Sequence, residues 1–212
     1  MLTSKGFDLW ADGYDQSVSL SEEANEYPFA GYKKVLETIY RQIRNGAGKR
    51  ILDIGFGTGI LTNKLYIEGY SICGIDFSQK MIEIAKQKMP GAELIRFDFA
   101  RGLPACFENR EFDSIVCTYA IHHLNDSQKI SLMEKLASHL SQNGKLMIGD
   151  VAFETTGEME RCKAQSGSDW DEDERYPVAE VLQKAFPELK FEKISFCAGV
   201  LTWARQAHEK GE

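Results

Sequence analysis

Apolar positions along the chain follow two different periods, and the change from one to the other marks out its elements. Across 30–44, Tyr32, Val35, Leu36, Ile39, Tyr40 and Ile43 recur at helical spacing, and the stretch stops at Asn45-Gly46-Ala47-Gly48. From 49 to 150 short apolar runs alternate with amphipathic stretches. The pattern is 50–54 then 60–68, 71–75 then 79–89, 93–97 then a Pro/Gly loop, 113–118 then 126–140, and finally 145–149. Strand–helix alternation of this kind predicts a parallel sheet covered on both faces, and right-handed crossovers make it doubly wound. Residues 151–175 are polar and rich in Glu, Ser and Gly, which predicts a mobile connection with some helix. A helical pattern resumes over 178–186. Two strand-like runs, 191–197 and 200–205, are separated only by Ala198-Gly199, so they must pair as an antiparallel hairpin.

The whole reads as one α/β domain over 1–212. A helical cover spans 1–45, a core 46–150, a lid or connection 151–176, and a C-terminal helix and hairpin 177–212. The length of 212 residues suits one domain with a sizeable core. Composition narrows the functional classes. A net charge of -7, with no Lys/Arg cluster, argues against nucleic-acid binding. The densest charge run, Asp169-Trp170-Asp171-Glu172-Asp173-Glu174, reads as a solvated loop. The 5 cysteines (Cys73, Cys106, Cys117, Cys162 and Cys197) are scattered and form no CxxC pair, so neither a disulfide framework nor a metal site is expected. The apolar runs are strand-sized and the N-terminus lacks an apolar signal region, giving an expected cytoplasmic protein with no membrane partner.

The most informative stretch is Ile51-Leu52-Asp53-Ile54-Gly55-Phe56-Gly57-Thr58-Gly59, a strand that runs into a glycine turn and then a helix. Glycines suit a turn with unusual backbone angles where a ligand approaches closely. The dinucleotide fingerprint would need a third glycine where Ile60 stands, so the spacing is GxGxG behind Asp53. Asp76 ends the next strand roughly 20 residues on, the place of a carboxylate that accepts from two ribose hydroxyls. The third strand ends at Asp98, where a carboxylate can receive an adenine amino group with Phe97 or Phe99 against the ring.

On these residues the chain resembles the class I S-adenosylmethionine-dependent methyltransferases, and more narrowly the bacterial methyltransferases of the YrrT type. The resemblance runs through Phe7–Asp15, the glycine turn, Gly74-Ile75-Asp76-Phe77-Ser78, Asp98-Phe99, Tyr119-Ala120-Ile121-His122-His123-Leu124, 145–150 and 200–203. It implies S-adenosyl-L-methionine as cofactor and a seven-stranded, mostly parallel sheet with its last strand antiparallel. It also implies cofactor contact at Gly55, Asp76 and Asp98, with Asp53, Gly57, Gly59, Phe77, Phe99 and Tyr119 completing the expected site. Phe56 stands where a small residue or proline is commoner.

Methyl transfer from a sulfonium is an in-line displacement by an already activated donor, so the enzyme mainly aligns the acceptor and excludes water. Neither an Asp/Asn-Pro-Pro-Tyr/Phe motif nor a Pro-Cys follows the fourth strand, which with the acidic charge points to a small-molecule acceptor. His122 and His123 are the candidate bases, with Tyr14 a further candidate in a segment that can fold over the cofactor beside Trp10. Asp150 either faces the acceptor or caps the next helix. Trp170, Tyr176 and Trp203 are candidate pocket walls, though Trp203 also suits the core. Two other readings compete. One is a cofactor-binding sensor without turnover. The other, a nicotinamide-dependent oxidoreductase, is disfavoured by Ile60 and the lack of a Tyr-xxx-Lys pair.

Overall fold

Strand β1 (Arg50–Ile54) sends Leu52 and Ile54 to one face of its sheet and Ile51 and Asp53 to the other, and all four are buried. Burial on both faces is what a central parallel strand requires. The computed structural model describes residues 26–205, and within them β1 has β2 (Ser71–Asp76) on one side and β4 (Phe112–Thr118) on the other, both parallel. With β3 (Glu93–Arg96), β5 (Leu140–Val151), β6 (Lys190–Lys193) and β7 (Ala198–Ala204) they form one 7-stranded sheet in the order β3-β2-β1-β4-β5-β7-β6. Strand β7 runs antiparallel to both neighbours. This is the doubly wound sheet with an antiparallel C-terminal strand that the sequence predicts.

The two faces have separate cores. Ile51, Val116, Met147 and Val200 lie with α1 (Tyr32–Arg44), α2 (Ile60–Ile67) and α3 (Gln79–Lys88). Leu52, Ile115, Ile148 and Leu201 lie with α4 (Asp126–Ser138) and the short α6 (Ala179–Leu182). Fully burying one such aliphatic side chain stabilises by about 1.5–3 kcal/mol. Local signals set the helix starts. Ser78 accepts the Met81 amide at 3.2 Å, and Asn125 and Gln128 form a reciprocal capping box. None of the described helices is long and apolar enough to cross a membrane.

Three boundaries differ from the sequence pattern. The hairpin turn lies at 194–197, and Ala198-Gly199 open β7 instead of separating the strands. There Ser195 Oγ accepts from Ala198 N at 3.0 Å and donates to Ala30 O at 2.6 Å, which draws the chain out of the ladder. The helix expected over 178–186 reaches only Leu182. Pro187 follows Phe186 and disfavours helical geometry before it. Strand β5 is longer than 145–149, its pairing with β4 shifting register between Phe112 and Ser114. The 151–176 segment holds α5 (Thr156–Ser166), a 3-10 turn at Gly167–Asp169 and a buried Tyr176. Phe7, Trp10 and Tyr14 lie outside the described residues.

Candidate active site

Parallel strands all point their carboxyl ends at one edge, and there the loops after β1, β2 and β4 enclose a cavity of about 400 Å³. Small-molecule sites occupy roughly 300–1,000 Å³. Its floor is the glycine turn. Gly57 has φ 55, and a Cβ placed on it would meet nothing within 4 Å. The turn therefore leaves an open cradle over its backbone. Asp76, at the end of β2, accepts the Gly57 amide through Oδ2 at 2.8 Å and the Ser78 amide through Oδ1 at 2.9 Å. It thus ties the loops after β1 and β2 together while lining the cavity.

Asp53 also lines the cavity, and its Oδ1 is buried with no hydrogen-bond partner among the described residues. Burial raises this carboxyl to about 7, and the neighbouring Asp76 charge adds to the effect. Phe77, Phe99 and Tyr119 line the same space. Tyr119 takes φ 49, a left-handed conformation costly for a side chain of this size, and turns the chain at the end of β4. Phe56 lines the cavity and lies over Gly74 of β2, where a Cβ would come within 2.7 Å of its ring.

Two expected residues stand apart from the cavity wall. Gly59 caps α2, and a Cβ there would come within 2.7 Å of Met89 Cε, so its role is packing behind the turn. Asp98 is exposed and its Oδ1 accepts the Ala100 amide at 3.0 Å, capping the 3-10 turn that places Phe99.

The opposite wall comes from the 3-10 turn Ile121–His123 and from the acidic run. His122 is buried, with Nδ1 2.7 Å from Asp150 Oδ1 and Nε2 3.4 Å from Glu174 Oε1. Asp150 caps no helix and does not line the cavity: fully buried, it grips His122 and the Val151 amide. Burial disfavours a charged His122 ring, but the Asp150 charge and bond, with Glu174 beyond, outweigh it and raise its pKa. His123 is lowered to about 4 by burial and by the His122 charge. Burial raises the pKa of Glu174, an effect His122 opposes.

Sequence reasoning missed Glu174. It belongs to a run read as a solvated loop, yet Asp169, Asp171 and Glu174 all line the cavity. The Arg175 amide donates to His122 O at 2.8 Å, so backbone pairing brings the run to the histidines. The available signal was its bracketing by Trp170 and Tyr176, aromatics that a fully solvated loop does not need. Tyr176 donates to Glu174 Oε2 at 2.6 Å and its hydroxyl also bonds that of Tyr27. Trp170 stacks on Tyr27 with centroids 5.4 Å apart. Tyr27 and Tyr176 line the acidic end of the cavity, and Trp170 packs behind them.

A methyltransferase domain model matches residues 51–144, which span the glycine turn, Asp76 and both histidines. An uncharacterized methyltransferase of Alkaliphilus oremlandii is 35% identical over 182 residues, 86% of this chain and 81% of that protein. One from Geobacillus kaustophilus is 32% identical over 209 residues, covering 95% and 94%. The chain belongs to the class I S-adenosylmethionine-dependent methyltransferases. Among solved structures it shares its fold with magnesium protoporphyrin IX methyltransferase from Synechocystis PCC 6803 with bound SAH. That match has a TM-score of 0.66 and 19% identity, and covers 84% of this chain and 85% of the other. N-methyltransferase NodS from Bradyrhizobium japonicum WM9, in complex with S-adenosyl-l-homocysteine, aligns with a TM-score of 0.62 and 16% identity, over 91% and 98%.

Proposed function

We propose that this chain transfers the methyl group of S-adenosylmethionine to a small molecule held between the glycine turn and the His122–Glu174 wall. One observation carries the reading: a single cavity joins an open glycine cradle to an acidic and aromatic wall. The cradle fits the donor. The turn at Gly55–Gly57 receives its methionine part, with buried Asp53 beneath to meet the cationic end. Asp76, at the cavity edge of β2, accepts from the ribose hydroxyls. Phe77 and Phe99 flank the adenine, and Asp98 takes its amino group at the rim. When bound, the donor supplies an activated methyl, so the protein's task is alignment and exclusion of water.

Tyr27, Trp170 and Tyr176 exclude water from the acceptor end. A nucleophile that must lose a proton meets the His122–Glu174 pair, with the His122 ring held in place by Asp150. The -7 net charge, and a cavity lining without Lys or Arg among the described residues, favour a small acceptor over nucleic acid. The test has two stages. Calorimetry with S-adenosylhomocysteine is expected to give one site per chain. Metabolite extracts incubated with labelled S-adenosylmethionine are expected to yield a labelled small product. Donor binding without any labelled product would overturn the enzymatic reading.

A further inference from the structure

We propose that His122, His123 and Glu174 form a binding site for a divalent cation of the zinc class at the acceptor wall. One ligand atom from each lies within 4.8 Å of the others, and all three residues line the cavity. The finer geometry supports coordination. His122 Nδ1 lies 2.7 Å from Asp150 Oδ1, so in the neutral ring Nδ1–H donates a hydrogen bond to that carboxylate. This leaves the Nε2 lone pair facing Glu174 Oε1 at 3.4 Å. Two electron-rich atoms then face each other, an arrangement that either a shared proton or a metal ion between them satisfies. A separation of 3.4 Å matches the edge of a tetrahedron whose metal–ligand legs are about 2.0–2.1 Å.

Each of these two ligands also has the outer partner that metal sites use to fix a ligating side chain. Asp150 orients His122, and Tyr176 holds Glu174 through the other oxygen, Oε2, at 2.6 Å. The bond from Arg175 N to His122 O, at 2.8 Å, locks the two segments in register. Asp169 and Asp171 line the same wall and favour a cation. Lys129, the buried cation nearby, is turned away to Leu124 O and Asp126. Two histidines and a glutamate with the fourth position facing a cavity is the pattern of an open site rather than a closed structural one. An acceptor hydroxyl or thiol ligating there would release its proton to solvent and present an anionic oxygen or sulfur to the methyl group. That last consequence rests on the methyl-transfer reading; cation binding itself does not.

The test is cobalt(II) and zinc(II) titration of the chelator-treated full chain, followed by visible absorption and calorimetry. One equivalent of cobalt with tetrahedral absorption is expected. His123→Ala and Glu174→Gln should each weaken binding at least tenfold, and Asp150→Asn by roughly 10–100-fold. Cys106→Ser, at an exposed cysteine outside the cavity lining, should change nothing. S-adenosylhomocysteine binding measured on the same variants shows that each is folded and separates loss of the metal from loss of the donor site. No tetrahedral spectrum, or zinc affinity unmoved by His123→Ala and Glu174→Gln, would overturn the site and leave a shared proton between His122 and Glu174.

Discussion

Asp76 and Gly57 are joined by a 2.8 Å bond from the glycine amide to the carboxylate, so the residue expected to hold the ribose also shapes the turn beneath the methionine. Asp76→Ala is therefore expected to weaken S-adenosylhomocysteine binding by about 1.5–3 kcal/mol, the range for hydrogen bonds to a charged group. It should also loosen the glycine turn. Calorimetry measures the first effect and amide exchange at Gly57 the second. Native affinity in a folded variant would remove Asp76 from the donor site.

Gly57 and Gly59 sit in the same turn and should respond differently to alanine. A methyl at Gly57 meets no protein atom, so Gly57→Ala costs only the backbone strain of φ 55, about 1 kcal/mol. It does fill the cradle, and donor affinity should fall at least tenfold. A methyl at Gly59 would come within 2.7 Å of the buried Met89 Cε on top of the strain of φ 75, so Gly59→Ala should lower Tm more, with the surviving folded protein binding the donor better than Gly57→Ala does. Equal donor affinity in the two variants would misplace the cradle.

Asp53 should make donor binding depend on pH. Its carboxyl is raised to about 7 in the free protein, so at pH 6 it is mostly protonated. A cationic ligand beside it favours the ionised form and lowers that value. Binding then releases protons below about pH 7, and affinity rises with pH up to that point. Calorimetry in two buffers of different ionisation enthalpy counts the protons. Asp53→Asn should abolish the release, and a release that persists would assign it elsewhere.

Asp113 governs acid stability at the other end of the sheet. Its carboxylate accepts from Arg50 N, Nε and Nη2 and from Ser141 Oγ, joining β1, β4 and β5. The Arg50 bond holds it at about 2, below its ordinary value of 3.8. A lowered carboxylate stabilises the fold above its unfolded value and loses that contribution as pH falls through the folded one. Asp113→Asn is expected to cost about 1 kcal/mol at neutral pH, since Arg50 is half exposed. The gap to the native chain should close between about pH 4 and 2 in urea unfolding.

The donor half of the site was legible because it is local. Asp53, Gly55 and Gly57 lie at the end of one apolar run and Asp76 at the end of the next, and strand order alone brings them together. The acceptor wall was legible only in part: His122, His123 and Tyr176 could be named, but their pairing and Glu174 depend on contacts between distant segments. Nothing near His122 in sequence announces Asp150 or Glu174; the first arrives through β4–β5 pairing and the second through the Arg175–His122 backbone bond. The β6–β7 turn was misplaced for a related reason. Phe196 and Cys197 look like strand residues, but the Ser195 hydroxyl satisfies the local amides in place of a partner strand.

The position of β7 has a consequence for how the chain is made. It is the last strand of the described sequence to leave the ribosome, yet it sits inside the sheet, with β5 on one side and β6 on the other. Until it emerges, the free edge of β5 from Lys145 to Val151 has no partner, and β6 has nothing to join. During synthesis the nascent chain therefore carries a long apolar edge able to pair with other chains. Translation that stalls before Ala198 would leave a protein with an assembled donor floor and an open, adhesive flank, a natural client for chaperones.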